Sequence, residues 1–192
     1  MPTVSTISSP LRTVLGFKNL SLRTTAIGVA TWKSLNFAME HQSQDQWCWA
    51  ATSFSVDRYF NNATSWSQCK VVNAELGQTG CCNNGSTAAC NKPWYLDRAL
   101  QRVGNLDAVS SGKPGFSGVK TEIDQSQPLC LRIGWNGGGG HFVAISAYDE
   151  NGGNPLITVD DPWYGRSTGV SFNNFPSSYH GGGTWTHTYT TR

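Results

Sequence analysis

The spacing of hydrophobic residues changes part-way along the chain. In the first half, apolar residues recur every three or four positions, which is typical of amphipathic helices. This spacing predicts a helix that Asp45 caps and that runs to about Phe60. It predicts a second helix from a cap at Asn91 to a stop signal at Gly104, and a short third helix over residues 117–124.

From Gln127 onward the period becomes two, which indicates half-buried strands. Four stretches show it and are predicted to be strands: PLCLRIGW, HFVAISAYD, LITVDDPW and GTWTHTYTT. A short strand is also predicted over SLNFAME, from Ser34 to Glu40, where Leu35, Phe37 and Met39 alternate with other residues. Since helices come first and antiparallel strands second, we expect an α+β fold.

Composition narrows the class of protein. With 192 residues we expect one domain with a good-sized core. The charged fraction of 14% is low, and the net charge of +2 is too small to indicate binding to nucleic acid or to an anionic membrane. No apolar run approaches the roughly 20 residues of a membrane helix. We therefore expect no nucleic-acid or membrane partner. We also expect a monomer.

The amino-terminal segment differs from the rest of the chain. Residues 1–39 contain no Asp or Glu, many Ser and Thr, and no continuous apolar stretch of the kind found in secretory signals. We expect residues 1–33 to form a flexible arm that acts as an export signal or pro-segment, and residues 34–192 to form the folded domain. The alternative is a tail without a role.

Four of the six cysteines lie close together in a polar segment: Cys69, Cys81, Cys82 and Cys90. This segment could hardly form a core alone, so we expect two local disulfides. Neighbouring cysteines are unlikely to bond each other, which leaves open whether Cys81 or Cys82 pairs with Cys69. Zinc is an alternative, but adjacent cysteines fit paired zinc-ligand spacing poorly; free thiols are another. We expect no metal and no organic cofactor.

Cys48 lies in QWCWAAT, where the first predicted helix begins. A cysteine is a nucleophile only as its thiolate, and the free N–H groups and positive dipole end of a helix start favour a negative sulfur. With Asp45 as cap, Cys48 is expected at the third helical position. The alternative is a small core side chain. Cys130, in the middle of a predicted strand, is expected to be buried and inert.

A histidine and a carboxylate could complete a nucleophilic site. His141 opens a strand directly after four glycines, residues 137–140, which would let a substrate backbone approach the ring. Asp161 ends another strand, where it could orient the imidazole. The alternatives are a plain hairpin loop for the glycines and a turn for the aspartate.

Together these residues resemble the papain-like cysteine proteases. The shared pattern is Gln42 six residues before Cys48-Trp49, then His141, then Asp161 two residues before Trp163. The resemblance implies that Cys48 is the nucleophile, His141 the base and then acid, and Asp161 the group that orients it. Gln42 would donate to the oxyanion, with Gln44 and Gln46 as rivals because the start of the helix is uncertain. Trp49 and Trp163 would support the cleft.

A closer resemblance is to compact bacterial members of that family. QWCWAAT, LCLRIGWNGGGGHFVAI, VDDPWYG and GGGTWTHTYTT resemble the AvrRpt-type proteases that plant pathogens inject into host cells, which are akin to staphopains and bacteriocin-leader peptidases. The resemblance covers roughly residues 37–191. It implies a helical half that carries Cys48, an antiparallel sheet half that carries His141 and Asp161, and a peptide cleft between them.

The function expected from this resemblance is a cysteine endopeptidase that cleaves peptide bonds through a thioester. It further implies a secreted effector that acts on a protein or peptide substrate, with a host prolyl isomerase as activator; a periplasmic location is the alternative. Two other functions stay open. One is a different Cys-dependent acyl transferase or amidase, and the other is an inactive binding module with the same fold.

Overall fold

The computed structural model describes residues 32–150 and 152–192. The predicted arm, residues 1–33, therefore lies almost wholly outside the described residues. The helices are α1 (Cys48–Phe60), α2 (Gln68–Leu76), α3 (Leu96–Val103) and α4 (Phe116–Asp124). The strands are β1 (Lys33–Ser34), β2 (Leu106–Ser111), β3 (Leu129–Trp135), β4 (Gly140–Asp149), β5 (Leu156–Asp161), β6 (Gly165–Ser171) and β7 (Gly183–Thr191).

The strands form one antiparallel sheet, and its order places the end of β5 beside the start of β4. The order is β2-β7-β3-β4-β5-β6, and β1 pairs with β4 beyond the end of β3. Helix α1 packs on β4 and α3, and α4 packs on β4. The expected α+β architecture, with a helical half and an antiparallel sheet half, is confirmed. Within the described residues, no helix is long and apolar enough to cross a membrane.

The strands with a clear two-residue period, β3, β4, β5 and β7, and the third predicted helix, α4, are confirmed with small shifts at their ends. The pleat of a strand directs alternate side chains to opposite faces of the sheet. The expected half-burial is wrong for β4 and β5, whose side chains are buried on both faces. The strand predicted over Ser34–Glu40 is wrong beyond Ser34. Leu35 and Phe37 are buried as the alternation suggested, and the Leu35 N–H still donates to the Ser146 carbonyl of β4 (2.8 Å), but residues 35–40 are not part of a strand.

Both predicted helix caps are wrong. Helix α1 begins at Cys48 and no side chain caps it, because residues 44–47 first form a turn in which the Trp47 N–H donates to the Gln44 carbonyl. Helix α3 begins only at Leu96. The side chain of Asn91, its predicted cap, accepts a hydrogen bond from the distant Gln46 N–H (3.0 Å) instead.

Three elements escaped the sequence analysis. Helix α2 lies in the cysteine-rich segment, where Ser67 caps it and Gly77 ends it in the left-handed conformation. Strands β2 and β6 are the two edges of the sheet. They are mostly exposed and lack apolar alternation, so pairing with β7 and β5 defines them rather than their own pattern.

The four clustered cysteines form two disulfides, as expected. Cys69 pairs with Cys82, and Cys81 pairs with Cys90. The structure therefore decides the pairing that the sequence left open, and the zinc and free-thiol alternatives are wrong. Cys48 and Cys130 remain free thiols, and both are buried.

Candidate active site

Cys48 lies at the amino-terminal end of α1, at the first helical position rather than the predicted third. Its side chain is only 9% exposed and faces the cleft between the two halves. Among the residues that the structure describes, the Cys48 N–H has no hydrogen-bond acceptor. A helix start with free N–H groups favours negative charge on the sulfur and on a nearby oxygen atom.

His141 lies one residue into β4, at the edge of the sheet that borders the cleft. The glycines before it form the turn from β3, and Gly138 (φ 91°) and Gly139 (φ 79°) adopt the left-handed conformation that other residues rarely adopt. The Trp135 ring stacks on the imidazole at 5.9 Å between centroids. The glycine run is therefore both a tight turn and an open border of the cleft.

Asp161 ends β5 next to His141. One carboxylate oxygen, Oδ1, accepts a hydrogen bond from His141 Nε2 (2.7 Å) and from the N–H groups of Trp163 (2.7 Å) and Tyr164 (2.9 Å). The carboxylate is buried. Because Nε2 is bonded to Asp161, the Nδ1 atom is the ring nitrogen left for the Cys48 thiol.

The charges of His141 and Asp161 stabilise each other. Burial alone would lower the pKa of His141, but hydrogen bonds and charges from Asp161 and Cys48 outweigh it and raise this pKa to about 9. Burial would raise the pKa of Asp161, but the His141 bond and charge and the two backbone N–H groups hold it below its ordinary value. His141 therefore keeps its proton at neutral pH, as an imidazolium between a carboxylate and a thiol.

Tyr179 is a neighbour of this site that the sequence analysis missed. Its hydroxyl donates to the other carboxylate oxygen of Asp161, Oδ2, at 3.2 Å. It lies in the loop SSYHGGG, between β6 and β7, and its ring is buried against Phe175. The loop carries no periodic signal, so only its folding over the end of β5 reveals the contact.

Gln42 lies near His141 and is only 4% exposed. Its backbone N–H donates to the Pro162 carbonyl (2.9 Å), which fastens this segment to the chain that follows Asp161. Its side-chain Nε2 donates to the carbonyls of Gln44 (2.8 Å) and Asp45 (2.9 Å). Both amide hydrogens are thus engaged by the turn that precedes α1. Of the two rivals, only Gln46 borders the same cavities as His141.

The two predicted cleft tryptophans differ in exposure. Trp49 is fully buried, and its indole N–H donates to the Lys92 carbonyl (3.1 Å). Trp163 is 45% exposed and stacks on His41 at 5.7 Å between centroids. Both border cavities that reach His141. The ring stacked directly on His141 is that of Trp135.

A cavity of about 890 Å³ opens between the helical and sheet halves beside Cys48 and His141. Its helical wall includes Trp94 and Tyr95, and its sheet wall includes Arg132 and Tyr189. This size and this mixture of aromatic and charged groups suit several side chains of a bound peptide. Within the described part of the chain, no group of three or more His, Cys, Asp or Glu side chains is placed to hold a metal ion.

The sequence matches a family model described as "Papain-like cysteine protease AvrRpt2" over residues 31–180. The chain belongs to this family of papain-like cysteine proteases. The matched segment contains Cys48, His141 and Asp161, the three side chains that meet at the cleft. No curated protein sequence matched the chain.

The fold of this papain-like protease is also found in a solved structure of a digestive enzyme precursor. "Structure of digestive procathepsin L 3 of Tenebrio molitor larval midgut" matches with a TM-score of 0.53 and 12% sequence identity, over 88% of this chain and 72% of that one. At this identity the match shows the fold alone. Family and fold together establish a cysteine protease, that is, a hydrolase of peptide bonds.

Proposed function

We propose that the protein is an endopeptidase in which Cys48 is the nucleophile, His141 the proton carrier and Asp161 the group that orients His141. The observation that carries the proposal is the position of the imidazole, which is bonded through Nε2 to a buried carboxylate and borders the same cavity as Cys48 at the start of α1, with Nδ1 left free of Asp161. The family supports peptide hydrolysis, and the cavity along the cleft supports an extended peptide as substrate.

In the proposed reaction, the Cys48 thiolate attacks the carbonyl carbon of the scissile bond and forms a tetrahedral oxyanion. The imidazolium of His141 then gives its proton to the leaving nitrogen as the C–N bond breaks, which leaves a thioester. Water attacks the thioester while His141 takes one of its protons. The C–S bond then breaks, which releases the carboxylic acid and restores the Cys48 thiolate and the His141 imidazolium, so no cofactor is consumed.

The oxyanion would lie at the start of α1, where the Cys48 N–H is free to donate. Gln42 is the proposed second donor. Since its amide hydrogens are bonded to the carbonyls of Gln44 and Asp45, one of these bonds must be exchanged for a bond to the oxyanion. Gln42→Glu removes this donor together with both hydrogen bonds to the turn, so kcat should fall, and an unchanged melting temperature would assign the loss to the oxyanion rather than to the turn.

The central test compares wild-type protein with Cys48→Ala on a peptide library, with cleavage mapped by mass spectrometry. We expect cleavage by the wild type, none by the variant, and an unchanged melting temperature. Cleavage by Cys48→Ala at the wild-type rate would contradict the assignment of the nucleophile. Transfer of the acyl group to an added amine in place of water would favour an acyl transferase, and absence of any reaction would favour a binding module.

We further propose that the protein is secreted. Its two disulfides support folding outside a reducing cytosol. The family resemblance suggests, as a competing role, an injected effector with a host prolyl isomerase as activator; this role requires that the two disulfides persist in a reducing cytosol. An assay with and without the isomerase tests the activator: we expect faster cleavage with it, and equal rates contradict this part of the proposal.

A further inference from the structure

The segment between α2 and α3 forms a loop that the Cys81–Cys90 disulfide closes. Residues 81–90, called the stapled loop here, contain turns but no helix or strand. Both of its cysteines are buried, at 2% and 4% exposure. Hydrogen bonds of its turns also define its shape: the N–H groups of Asn83 and Asn84 donate to the Gly80 carbonyl, the Cys90 N–H donates to the Thr87 carbonyl, and the Cys81 N–H donates to the Asn73 side chain.

The stapled loop and the residues directly after it hold the backbone and side chains on either side of Cys48. The Trp47 indole donates to the Cys90 carbonyl (2.9 Å), and the Trp49 indole donates to the Lys92 carbonyl (3.1 Å). The Gln46 N–H donates to the Asn91 side chain (3.0 Å). Three consecutive residues, 90–92, thus bind residues 46, 47 and 49, which flank the candidate nucleophile.

The tip of the stapled loop packs on the same tryptophan. A Cβ atom placed on Gly85 would lie 2.7 Å from Cη2 and 2.9 Å from Cζ2 of Trp47, closer than carbon atoms pack. The end of the loop therefore binds the Trp47 indole nitrogen through the Cys90 carbonyl, and the middle of the loop packs on the Trp47 ring at Gly85. Since α1 has no side-chain cap, these contacts fix where the helix begins.

The second disulfide provides a natural comparison. Cys69 lies in α2, and its partner Cys82 is exposed at the surface. The polar neighbours of these two sulfur atoms are Ser67, which caps α2, and Asn73, which lies within α2. Both bonds close short loops of similar length, with sequence separations of 13 and 9.

We propose that the Cys81–Cys90 disulfide is a positioning element of the active site, which holds Trp47 and Trp49 so that Cys48 stays at the start of α1 in reach of His141. The Cys69–Cys82 disulfide stabilises the fold without this role. Activity then requires the Cys81–Cys90 disulfide to be oxidised while Cys48 stays a free cysteine. The proposal rests on Cys48 as the nucleophile, and its test includes a measurement that needs no substrate.

The test compares two double variants, Cys81→Ser/Cys90→Ser and Cys69→Ser/Cys82→Ser, below the melting temperature of both. Cys48 alkylation by iodoacetamide is followed by mass spectrometry, alongside kcat and KM on a cleaved peptide. A displacement of about 1 Å can cost up to 100-fold, so we expect about a tenfold loss of alkylation rate and of kcat in the first variant. The second variant should stay within about twofold of wild type, because the polar neighbours of its two sulfur atoms are Ser67 and Asn73 rather than residues 46–49.

A second pair of variants keeps both disulfides and covers the case in which the first variant fails to fold. Gly85→Ala inserts a methyl group against Trp47, whereas Gly80→Ala, directly before the stapled loop, adds one where nothing lies within 4 Å. We expect alkylation and kcat to fall about threefold or more for Gly85→Ala and to remain unchanged for Gly80→Ala.

The outcomes separate this inference from the proposed function. If wild type and Cys48→Ala cleave equally, the proposed function is wrong. If only wild type cleaves, but the Cys81/Cys90 and Gly85 variants keep wild-type alkylation rates and kcat, the positioning role is wrong. Equal losses in both disulfide variants, or in both glycine variants, would also overturn it, since the effect would then be general destabilisation.

Discussion

Cys48 lies in a half of the cleft that side-chain contacts and disulfides hold together, whereas His141 and Asp161 lie on neighbouring strands of a continuous ladder. In the sheet half, β4 pairs with β3 on one side and β5 on the other, and the register Ala144–Asp160 brings the end of β5 to the start of β4. In the helical half, the indoles of Trp47 and Trp49 are bound by a loop without helix or strand. The difference predicts that the sheet half tolerates loss of single side-chain contacts better than the helical half.

The largest effect is expected where the two halves meet. His141→Ala removes the proton carrier between Cys48 and Asp161, and we expect kcat/KM to fall by about 10⁴-fold or more. Steady-state kinetics on a cleaved peptide measures this, and circular dichroism checks the fold. A loss smaller than tenfold would contradict the role of His141 as the proton carrier for Cys48.

The next variant tests whether Asp161 acts through its negative charge or only through its position beside His141. Asp161→Asn keeps the side-chain shape but removes the charge that helps raise the pKa of His141 to about 9. We expect kcat/KM to fall about tenfold or more. In the wild type, activity should decline as the pH rises through about 9 because His141 loses its proton. In the variant this alkaline limb should move to lower pH; a limb that stays in place contradicts the coupling.

The same pKa shift connects folding to pH. The folded pKa of His141 lies above its ordinary value of 6.5, so its stabilising contribution is complete below about pH 6.5 and is lost as the pH rises through about 9. Urea unfolding of wild type and Asp161→Asn over this range measures the contribution. We expect the wild type to lose more stability than the variant between these pH values.

A third variant examines the ladder itself. A Cβ atom on Gly183 would lie 2.6 Å from the Gly134 carbonyl oxygen, and this backbone atom cannot rotate away. Gly183→Ala should therefore lower the free energy of unfolding by about 2 kcal/mol. Gly137→Ala is the control, because nothing lies within 4 Å of its Cβ position. Similar stabilities for both variants would show that β3 and β7 can separate at little cost.

The smallest effect is expected at Tyr179, whose hydroxyl acts on the site through the Asp161 carboxylate. Tyr179→Phe leaves Asp161 Oδ2 without its hydrogen bond, which should lower kcat about fivefold while KM changes little. Tyr59→Phe removes a hydroxyl that donates to the Ser126 carbonyl at the surface, and it should leave kcat unchanged. Equal kcat values for the two variants would mean that the ladder alone orients Asp161.

Much of the sheet half was predictable because successive side chains of a strand point to opposite faces of the sheet, so a two-residue period indicates a strand even where, as in β4 and β5, both faces are buried. This period located β3, β4, β5 and β7, and with them His141 at the start of one strand and Asp161 at the end of another. The helical half was predicted less well. The start of α1 depends on a turn and on contacts with residues 90–92, so Asp45 is not its cap, and α2 was missed in the cysteine-rich segment.

The sequence by itself determined the α+β class, the family resemblance and the candidates Cys48, His141 and Asp161, because residue type and local period are properties of the chain alone. Only the tertiary structure decided the pairing of the four cysteines, the contact of Tyr179 with Asp161, and the support of Cys48 by the stapled loop. These contacts join residues that are distant in sequence or lie in loops without a period. Such contacts form only when packing brings their partners together, so they leave no regular local pattern.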